Sequence, residues 1–191
     1  MSVSRLTGAD LQAALPDLAA LRIEVFRAFP YLYDGDLSYE KGYLTPYRDN
    51  PRAVLVAARQ DGRIVGAATG MPLADHGDAA QMTGDLPPIN EIFYCAESVL
   101  LEPYRGQGFG HAFFDLREAQ ARELGFRYSL FCAVQRPADH PARPVGYRPL
   151  DGFWRKRGYA PAEGVTATFH WTDVGGTGET PHSLQAWIKQ L

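Results

Sequence analysis

The stretch YRGQGFG, residues 104–110, places three glycines at alternate positions directly behind Arg105. Glycine costs backbone entropy wherever it is not required, so Gly106, Gly108 and Gly110 indicate that something approaches the backbone closely. The stretch follows an apolar run and precedes an amphipathic helical pattern, so its amides lie at the positive end of a helix dipole. These residues predict a diphosphate site, to which Arg105 adds a positive charge.

Two common phosphate-binding motifs fit this stretch less well. The pattern GxxxxGK[ST] does not occur, and GxGxxG fails because His111 occupies the position of its third glycine. A nucleotide-binding protein that uses the loop for another diphosphate stays open as an alternative.

Glu97 is the second residue whose type and position suggest chemistry, because it interrupts the apolar run IFYCAESVLL, residues 92–101. A carboxylate inside a core strand needs a reason. It can act as a general base that removes a proton from an alkylammonium, whose pKa is about 10.4. The alternative is a structural carboxylate paired with an arginine or with backbone amides. Glu91, at the start of the same run, is a second candidate base, and its alternative is an exposed strand end.

The elements around these residues alternate between strands and helices. Residues 53–59 and 63–73 form two apolar runs joined by Asp61-Gly62, which predicts a β-hairpin. A strand over residues 91–101, a helix over 108–124 and a strand over 127–134 then form a parallel crossover unit. The chain is therefore predicted to be α/β, with one domain over residues 1–191.

The last part of the chain carries three more predicted elements. DGFWRKRGY predicts a short helix that ends at Gly158, and VTATFHW, residues 165–171, predicts a final strand. Residues 177–191 are predicted as a short helical appendage, with an apolar stripe at helical spacing formed by Leu184, Trp187, Ile188 and Leu191. This helix would close the core of the domain or dock on a partner, so the choice between monomer and homodimer stays open.

Composition excludes several classes of protein. A net charge of -3 and a pI near 5.9 give no basic footprint for nucleic acid. Nowhere do about 18 consecutive apolar residues occur, so no membrane partner is expected, and the N-terminal sequence leads us to expect a cytoplasmic protein. The two cysteines, Cys95 and Cys132, are interpreted as small buried side chains. No metal is predicted, because the histidines lack metal-ligand spacing.

The hexapeptide from Arg105 to Gly110 matches the pattern [RQ]xxGx[GA], with an apolar strand before it and a helix after it. Together with FWRKRGY, it resembles the acetyl-CoA loop and late helix of the GNAT superfamily of N-acetyltransferases. The resemblance implies a mixed sheet flanked by helices, in which a splayed pair of parallel strands forms the acyl-CoA cleft. It implies acetyl-CoA as the donor, with its pantetheine arm on the main chain of Val99, Leu100 and Leu101. Its pyrophosphate would lie on Arg105, Gly106, Gln107, Gly108, Phe109 and Gly110.

The resemblance also implies a reaction, which is acetyl transfer to an amine of a small molecule or a peptide. Direct attack in a ternary complex is expected, since neither cysteine has a histidine partner in evidence. A backbone amide near Leu100 would polarise the carbonyl. The alternative is a non-catalytic module that binds acyl-CoA or regulates through it.

One position departs from the pattern of the superfamily. Trp154 stands where a tyrosine often serves as general acid, so Tyr147, a tyrosine of FPYLYDG or water is expected to protonate the leaving thiolate. Trp154 itself would line the cofactor channel or fill the core. His111 would approach phosphate or lie exposed at the start of the helix.

The segment that borders the acceptor site in the superfamily is aromatic and acidic here. It contains Tyr31, Tyr33, Asp34, Asp36, Tyr39 and Tyr43. Such a rim suits a cationic amine through cation–π contact and charge. The alternative is a loop packed by its own tyrosines.

Overall fold

A computed structural model describes residues 2–191, which form one nine-stranded mixed sheet with helices on both faces. The strands are β1 (Ser2–Leu6), β2 (Val54–Gln60), β3 (Arg63–Pro72), β4 (Met82–Thr83), β5 (Ile92–Tyr94), β6 (Ser98–Leu100), β7 (Tyr128–Val134), β8 (Ala160–Thr172) and β9 (Glu179–Gln190). Their order is β1-β2-β3-β5-β7-β9-β8-β4, and β6 pairs with β3 off this path. The α/β class predicted from the sequence is confirmed.

Five α-helices accompany the sheet. They are α1 (Gly8–Phe26), α2 (Leu37–Tyr43), α3 (Thr45–Asp49), α4 (Phe109–Glu123) and α5 (Asp151–Lys156). The core on one face joins Leu11 and Leu18 of α1 to Leu55 of β2, whereas the core on the other face joins Phe113 of α4 to Val56 of β2. Within residues 2–191, none of the helices combines the length and the apolar character needed to cross a membrane.

The predicted hairpin is present, since β2 and β3 pair antiparallel across Asp61-Gly62. Both turn residues have positive φ, 51° at Asp61 and 82° at Gly62. This backbone conformation is the one for which two-residue hairpin turns select Asp-Gly. Residues 54–58 are buried, so β2 contributes to the core on both faces of the sheet.

The parallel pair splays at the position of Glu97. β5 runs parallel to β7, and the amide of Cys95 still bonds the carbonyl of Leu130 at 2.7 Å. Residues 95–97 then leave the strand, and β6 continues on β3 alone. The single strand predicted over residues 91–101 is therefore two short strands, and the break between them opens a cleft between β6 and β7.

The helix predicted within residues 177–191 is wrong, because β9 covers most of that segment. β9 pairs antiparallel with β7 on one side and with β8 on the other. Its buried residues include His182, Leu184 and Ala186 at every second position. Pairing on both edges overrides the helical spacing of the larger apolar side chains. β8 is also longer than the strand predicted over residues 165–171.

Candidate active site

The glycine loop lies at the N-terminus of α4, as the sequence predicts. Gly106 and Gly108 have φ of 74° and 87°, a region in which a side chain would be strained, and both are exposed. Gly108 caps α4 without a side-chain hydrogen bond, and helix geometry leaves the amides of Phe109 and Gly110 without an intrahelical acceptor. The loop therefore offers a set of unpaired amides to an anion.

The long side chains of this loop lie along its own backbone. Arg105 is exposed and its Nε donates to the carbonyl of Leu100 at 3.2 Å, and Gln107 Nε2 donates to the carbonyl of Pro103 at 3.1 Å. The guanidinium of Arg105 thus lies beside the end of β6, where it adds positive charge near the unpaired amides.

His111 and Gly110 lie against α5. The His111 ring centroid is 4.9 Å from that of Phe153, and its Nδ1 is 3.2 Å from Arg157 Nη1. A Cβ at Gly110 would approach the Phe153 ring to 3.3 Å, so glycine lets α4 and α5 approach closely here. His111 is exposed, which is the alternative that the sequence left open.

Main-chain groups of β6 on the side away from β3 face the cleft, and among them the Leu100 carbonyl accepts a hydrogen bond from Arg105 Nε. Residues 97 and 101 bond residues 69 and 65 of β3 through their backbones, so the alternation of an antiparallel ladder also directs Val99 toward β3. Ser98 and Leu100 then direct their N–H and C=O groups toward the cleft. Among the three residues expected to bind pantetheine, Leu100 alone has this orientation, and Ser98 is a residue that sequence reasoning missed.

Trp154 and Tyr147 lie in different surroundings. Trp154 is partly buried between Phe131 and Trp187, with ring centroids 5.0 and 5.1 Å away, so it contributes to the core on the α4 face. Tyr147 packs edge-on against Phe29 at 4.7 Å, and partial burial raises the pKa of its phenol. Its hydroxyl is therefore protonated at neutral pH and can donate a proton.

Glu97 is buried in a charged cluster, which we call the cavity cluster (Arg22, Glu40 and Glu97). Arg22 Nη1 lies 2.6 Å from Glu97 Oε2, and Arg22 Nε lies 2.5 Å from Glu40 Oε2. The other oxygen of Glu97 accepts a short hydrogen bond from Thr69. Both oxygens of Glu97 therefore already accept hydrogen bonds, as expected for the alternative of an arginine-paired carboxylate.

The break that carries Glu97 is held from the opposite face of the sheet by Arg117 of α4. Its Nη1 donates to the carbonyls of Glu97 at 2.9 Å and Thr69 at 3.1 Å, and its Nη2 donates to Ser98 Oγ at 2.9 Å. Arg117 is 1% exposed. Arg117 thus satisfies the Thr69 carbonyl, which a regular ladder would pair with a strand amide, and adds a second donor to the Glu97 carbonyl, so the interruption of the strand is a fixed feature.

Glu91 has the surroundings of a strand end. Its carboxylate is 30% exposed and pairs with Arg127 at 2.9 Å. It lies at the end of β5 away from the break, which agrees with the structural alternative for this residue.

A cavity of about 370 Å³ opens beside the break. Five aromatic residues from α1, α2 and the segment between them line one side of it, namely Phe26, Tyr31, Tyr33, Tyr39 and Tyr43. Tyr94, Phe169 and Trp171 line the sheet side, and Ala96 and Glu97 lie where the cavity meets the break. The structure thus brings together the tyrosines and the carboxylate that the sequence singled out. Asp34 and Asp36 do not line the cavity; Asp34 pairs with Arg27, and Asp36 caps α2.

Asp78 is a cavity residue that sequence reasoning missed. It lies in a 3₁₀ turn over Gly77–Gln81, and its Oδ2 accepts a hydrogen bond from Tyr94 at 2.9 Å. Its side chain keeps 16% exposure, and burial raises the pKa of its carboxyl. Asp78 combines a partly exposed side chain with a raised pKa, the properties of a general base.

His76 is hydrogen-bonded to the turn that carries Asp78. Its Nδ1 accepts a hydrogen bond from the Asp78 amide at 3.1 Å, and its Nε2 lies 3.1 Å from the Tyr47 hydroxyl. Burial lowers the pKa of His76, so the ring is neutral at pH 7. The imidazole therefore fixes the turn without compensating the charge of Asp78.

The two cysteines are buried and free. Cys132 lines the cavity, and burial raises the pKa of its thiol to about 12. Burial also raises the pKa of Cys95. Both thiols are protonated at neutral pH, so neither is an activated nucleophile. Across residues 2–191, no group of three or more His, Cys, Asp or Glu side chains is arranged to hold a metal ion.

Comparisons with known proteins agree with this geometry. The profile described as "Acetyltransferase (GNAT) family" matches residues 18–150, which is more than half of the chain. A search of curated proteins returns no match.

Three solved structures illustrate the similarity of fold. A ribosomal-protein-alanine N-acetyltransferase from Brucella melitensis has a TM-score of 0.63 and 16% identity, with 100% of both chains covered. A GCN5-related N-acetyltransferase from Kribbella flavida has a TM-score of 0.60 and 19% identity, with 99% of this chain and 98% of that chain covered. The PaiA N-acetyltransferase from Thermoplasma acidophilum, solved in complex with coenzyme A, has a TM-score of 0.57 and 12% identity over 100% of both chains.

Proposed function

The chain belongs to the GNAT acetyltransferase family, and from this premise we propose that it transfers an acetyl group from acetyl-CoA to a primary amine held in the aromatic cavity. The observation that carries the proposal is the break at residues 95–97. On one side of it, Ala96 and Glu97 line the cavity, and directly after it Ser98 and Leu100 form a strand edge that faces the cleft. An acceptor in the cavity and a donor on that edge would meet at the break.

The residues of the cleft fit acetyl-CoA, which supplies the acetyl group as a thioester. Ser98 and Leu100 offer main-chain groups that pair with an amide-bearing arm in the manner of an added strand. The unpaired amides from Gly106 to Gly110, with Arg105 beside them, suit a pyrophosphate. Val99 and Leu101 hold β6 on β3, His111 lies beside the loop against Phe153 of α5, and Trp154 packs in the core beneath α5. The coenzyme A bound by the Thermoplasma relative supports this assignment.

Two carboxylates line the cavity, and we assign the proton of the amine to Asp78. Glu97 already accepts hydrogen bonds from Arg22 and Thr69, so its oxygens are poorly available to an ammonium. Asp78 accepts one from Tyr94 and has its other oxygen free of hydrogen-bond donors among residues 2–191. A carboxylate with a raised pKa is also a stronger base, so it removes a proton from the ammonium more readily. Glu97, the base expected from the sequence, then acts as a positioning residue that fixes Arg22 and the break.

The protons balance without a covalent enzyme intermediate. The ammonium loses one proton to Asp78, and the resulting neutral amine attacks the carbonyl carbon directly. As the C–S bond breaks, the nitrogen releases its second proton to water, and the thiolate takes a proton from water or from Tyr147, which regains it from water. The Leu100 amide faces the cleft, where it can stabilise negative charge on the carbonyl oxygen. Direct attack agrees with two protonated, buried thiols.

The test is thiol release from acetyl-CoA by the purified protein with a panel of amines, beside calorimetric binding of coenzyme A. Arg105→Ala should weaken coenzyme A binding about tenfold, the usual scale of one charge-assisted contact. Arg127→Ala is the matched control, because Arg127 is exposed and pairs with Glu91 far from the loop. Binding without release for every amine would support the non-catalytic alternative, and absence of coenzyme A binding would refute the proposal.

A further inference from the structure

The charges around the cavity do not balance. Arg22 is the sole lysine or arginine that lines the cavity in the part of the chain described, and it is paired with both Glu40 and Glu97. The carboxylate of Asp78 has Tyr94 and His76 as its partners, neither of which is cationic at pH 7. The site therefore attracts an ammonium group, whereas a carboxylate on the ligand would find its potential counter-ion already occupied.

The aromatic wall of the cavity consists of Phe26, Tyr31 and Trp171, whose neighbouring rings are tilted by 34° and 35°. The ring centroids of Phe26 and Tyr31 are 4.3 Å apart, and those of Tyr31 and Trp171 are 6.0 Å apart. Trp171 is fixed by a hydrogen bond from its Nε1 to the Tyr31 carbonyl at 3.1 Å. Burial raises the pKa of Tyr31, so its phenol stays neutral. Such a wall binds a planar apolar group by stacking and an ammonium group by cation–π contact.

Tyr31 of this wall belongs to a chain segment that hydrogen bonds fix at several points. The Asp34 amide bonds the Thr172 carbonyl at 2.9 Å, and the Val174 amide bonds the Leu32 carbonyl at 2.7 Å. Arg136 donates to the carbonyls of Pro30 and Tyr31 at 2.8 and 2.7 Å. The segment is thus fixed across the cavity, whose volume of about 370 Å³ lies at the lower end of the range for small-molecule sites. This shape suits a small molecule better than a peptide chain.

We propose that the acceptor is a small arylalkylamine, a primary amine that has a planar aromatic tail and lacks a carboxylate. The proposal rests on the acetyl transfer proposed above, and it names the substrate class of the same site. The ammonium group lies toward Asp78 and the break, and the aromatic tail lies against Tyr31 and Trp171. An amino acid with the same tail is rejected by repulsion between its carboxylate and Asp78.

Matched pairs of acceptors test this substrate class with the wild-type protein. Tyramine should exceed tyrosine in kcat/KM by at least about tenfold, which corresponds to about 1.4 kcal/mol, and phenethylamine should exceed phenylalanine likewise. Tyramine should also exceed spermidine and a tetrapeptide with a free N-terminal alanine. Turnover of tyrosine within about threefold of tyramine, or preference for spermidine or the peptide, would overturn the substrate class while leaving acetyl transfer intact.

The aromatic wall has its own test. Trp171→Leu should raise the KM for tyramine about tenfold with little change for n-butylamine, and Trp171→Phe should restore it. Because Trp171 is buried, binding of N,N,N-trimethyltyramine to the wild-type protein with coenzyme A is measured by calorimetry as well. This probe cannot be acetylated, so its binding supports the site independently of turnover, and a failure to bind would contradict the proposal. Failure of the protein to bind coenzyme A would instead refute the proposed function.

Discussion

Two buried charged clusters lie on opposite faces of the same sheet. In the cavity cluster, one arginine forms salt bridges with two carboxylates, Glu40 and Glu97. On the other face, in what we call the α4 cluster (Glu118, Arg157 and Lys189), one buried carboxylate pairs with two cations, Lys189 Nζ at 2.8 Å and Arg157 Nη2 at 3.3 Å, and Arg157 also pairs with the exposed Asp115 outside the cluster at 2.6 Å. Both clusters bury ionic groups at similar distances, but their balance of charge is opposite.

The difference shows which cluster is suited to an amine. The α4 cluster has an excess of positive charge, and the Tyr159 hydroxyl fills the remaining space by bonding Glu118 at 3.1 Å. The cavity cluster has an excess of negative charge, and an open cavity with a further carboxylate, Asp78, adjoins it. A buried ion pair alone is therefore weak support for function, whereas an excess of charge that faces a cavity is a specific indication of a ligand.

The largest effect is expected when the shared cation of the cavity cluster is removed. Arg22→Met leaves two buried carboxylates without their counter-ion, so the free energy of unfolding should fall by about 3–5 kcal/mol in urea at pH 7. Arg5→Met is the control, since the partly exposed pair of Arg5 and Glu123 should contribute less than about 1 kcal/mol. A loss below about 1 kcal/mol for Arg22→Met would show that this cluster contributes little to stability.

Neutralising one carboxylate in each cluster should separate their roles. Glu97→Gln removes charge beside the cavity and disturbs Arg22, so kcat/KM for the best amine should fall about tenfold. Glu118→Gln should leave kcat/KM within about threefold, while each variant loses about 1–3 kcal/mol of stability. Equal losses of activity in the two variants would contradict the distinction between the clusters.

A smaller effect is expected on the stability of Asp78→Asn. Burial raises the pKa of Asp78, so ionisation of this carboxyl destabilises the folded state at every pH above that raised pKa. Asparagine carries no such charge, and the variant should be about 0.5–2 kcal/mol more stable at pH 7. The difference should shrink as the pH falls through the raised pKa and vanish below the ordinary pKa of aspartate, where the wild-type carboxyl is protonated in both the folded and the unfolded states. Urea denaturation at several pH values measures it, and a variant less stable at pH 7 would contradict this account.

Much of the fold could be predicted from the sequence because its strongest elements are locally encoded. Asp61-Gly62 specifies the hairpin turn, and the glycines after Arg105 specify the start of α4. The C-terminal strand could not be predicted in this way. Leu184, Trp187 and Ile188 have helical spacing, and the strand alternation at His182, Leu184 and Ala186 includes a polar and a small residue, so it is a weak signal. β9 forms because it pairs with β7 and β8, and this pairing depends on the tertiary fold.

The part of the candidate site whose residues are close in sequence could be predicted. Glu97 and the loop from Arg105 to Gly110 are close in sequence, and β6 lies between the break and the loop. The partner of Glu97 is Arg22, 75 residues away, so the choice between base and ion pair depends on packing. Asp78 lies in a segment rich in Asp, Gly and Pro, where nothing local distinguishes it from a surface carboxylate; its role comes from burial against Tyr94 and His76.

The pH dependence of kcat/KM for amine-dependent thiol release, compared between the wild type and Asp78→Asn, tests the central claim most directly. The titratable groups that interact with Asp78 are His76, Tyr94, Glu97, Arg22, Tyr39, Tyr43, Tyr47 and Cys132. Asp75→Asn is a control because Asp75 pairs with Arg52 outside the cavity. We expect Asp78→Asn to lower kcat/KM at pH 7 about a hundredfold and to remove an acidic limb that lies above the ordinary range of aspartate. An unchanged rate and an unchanged acidic limb in Asp78→Asn would contradict the assignment of Asp78 as the base.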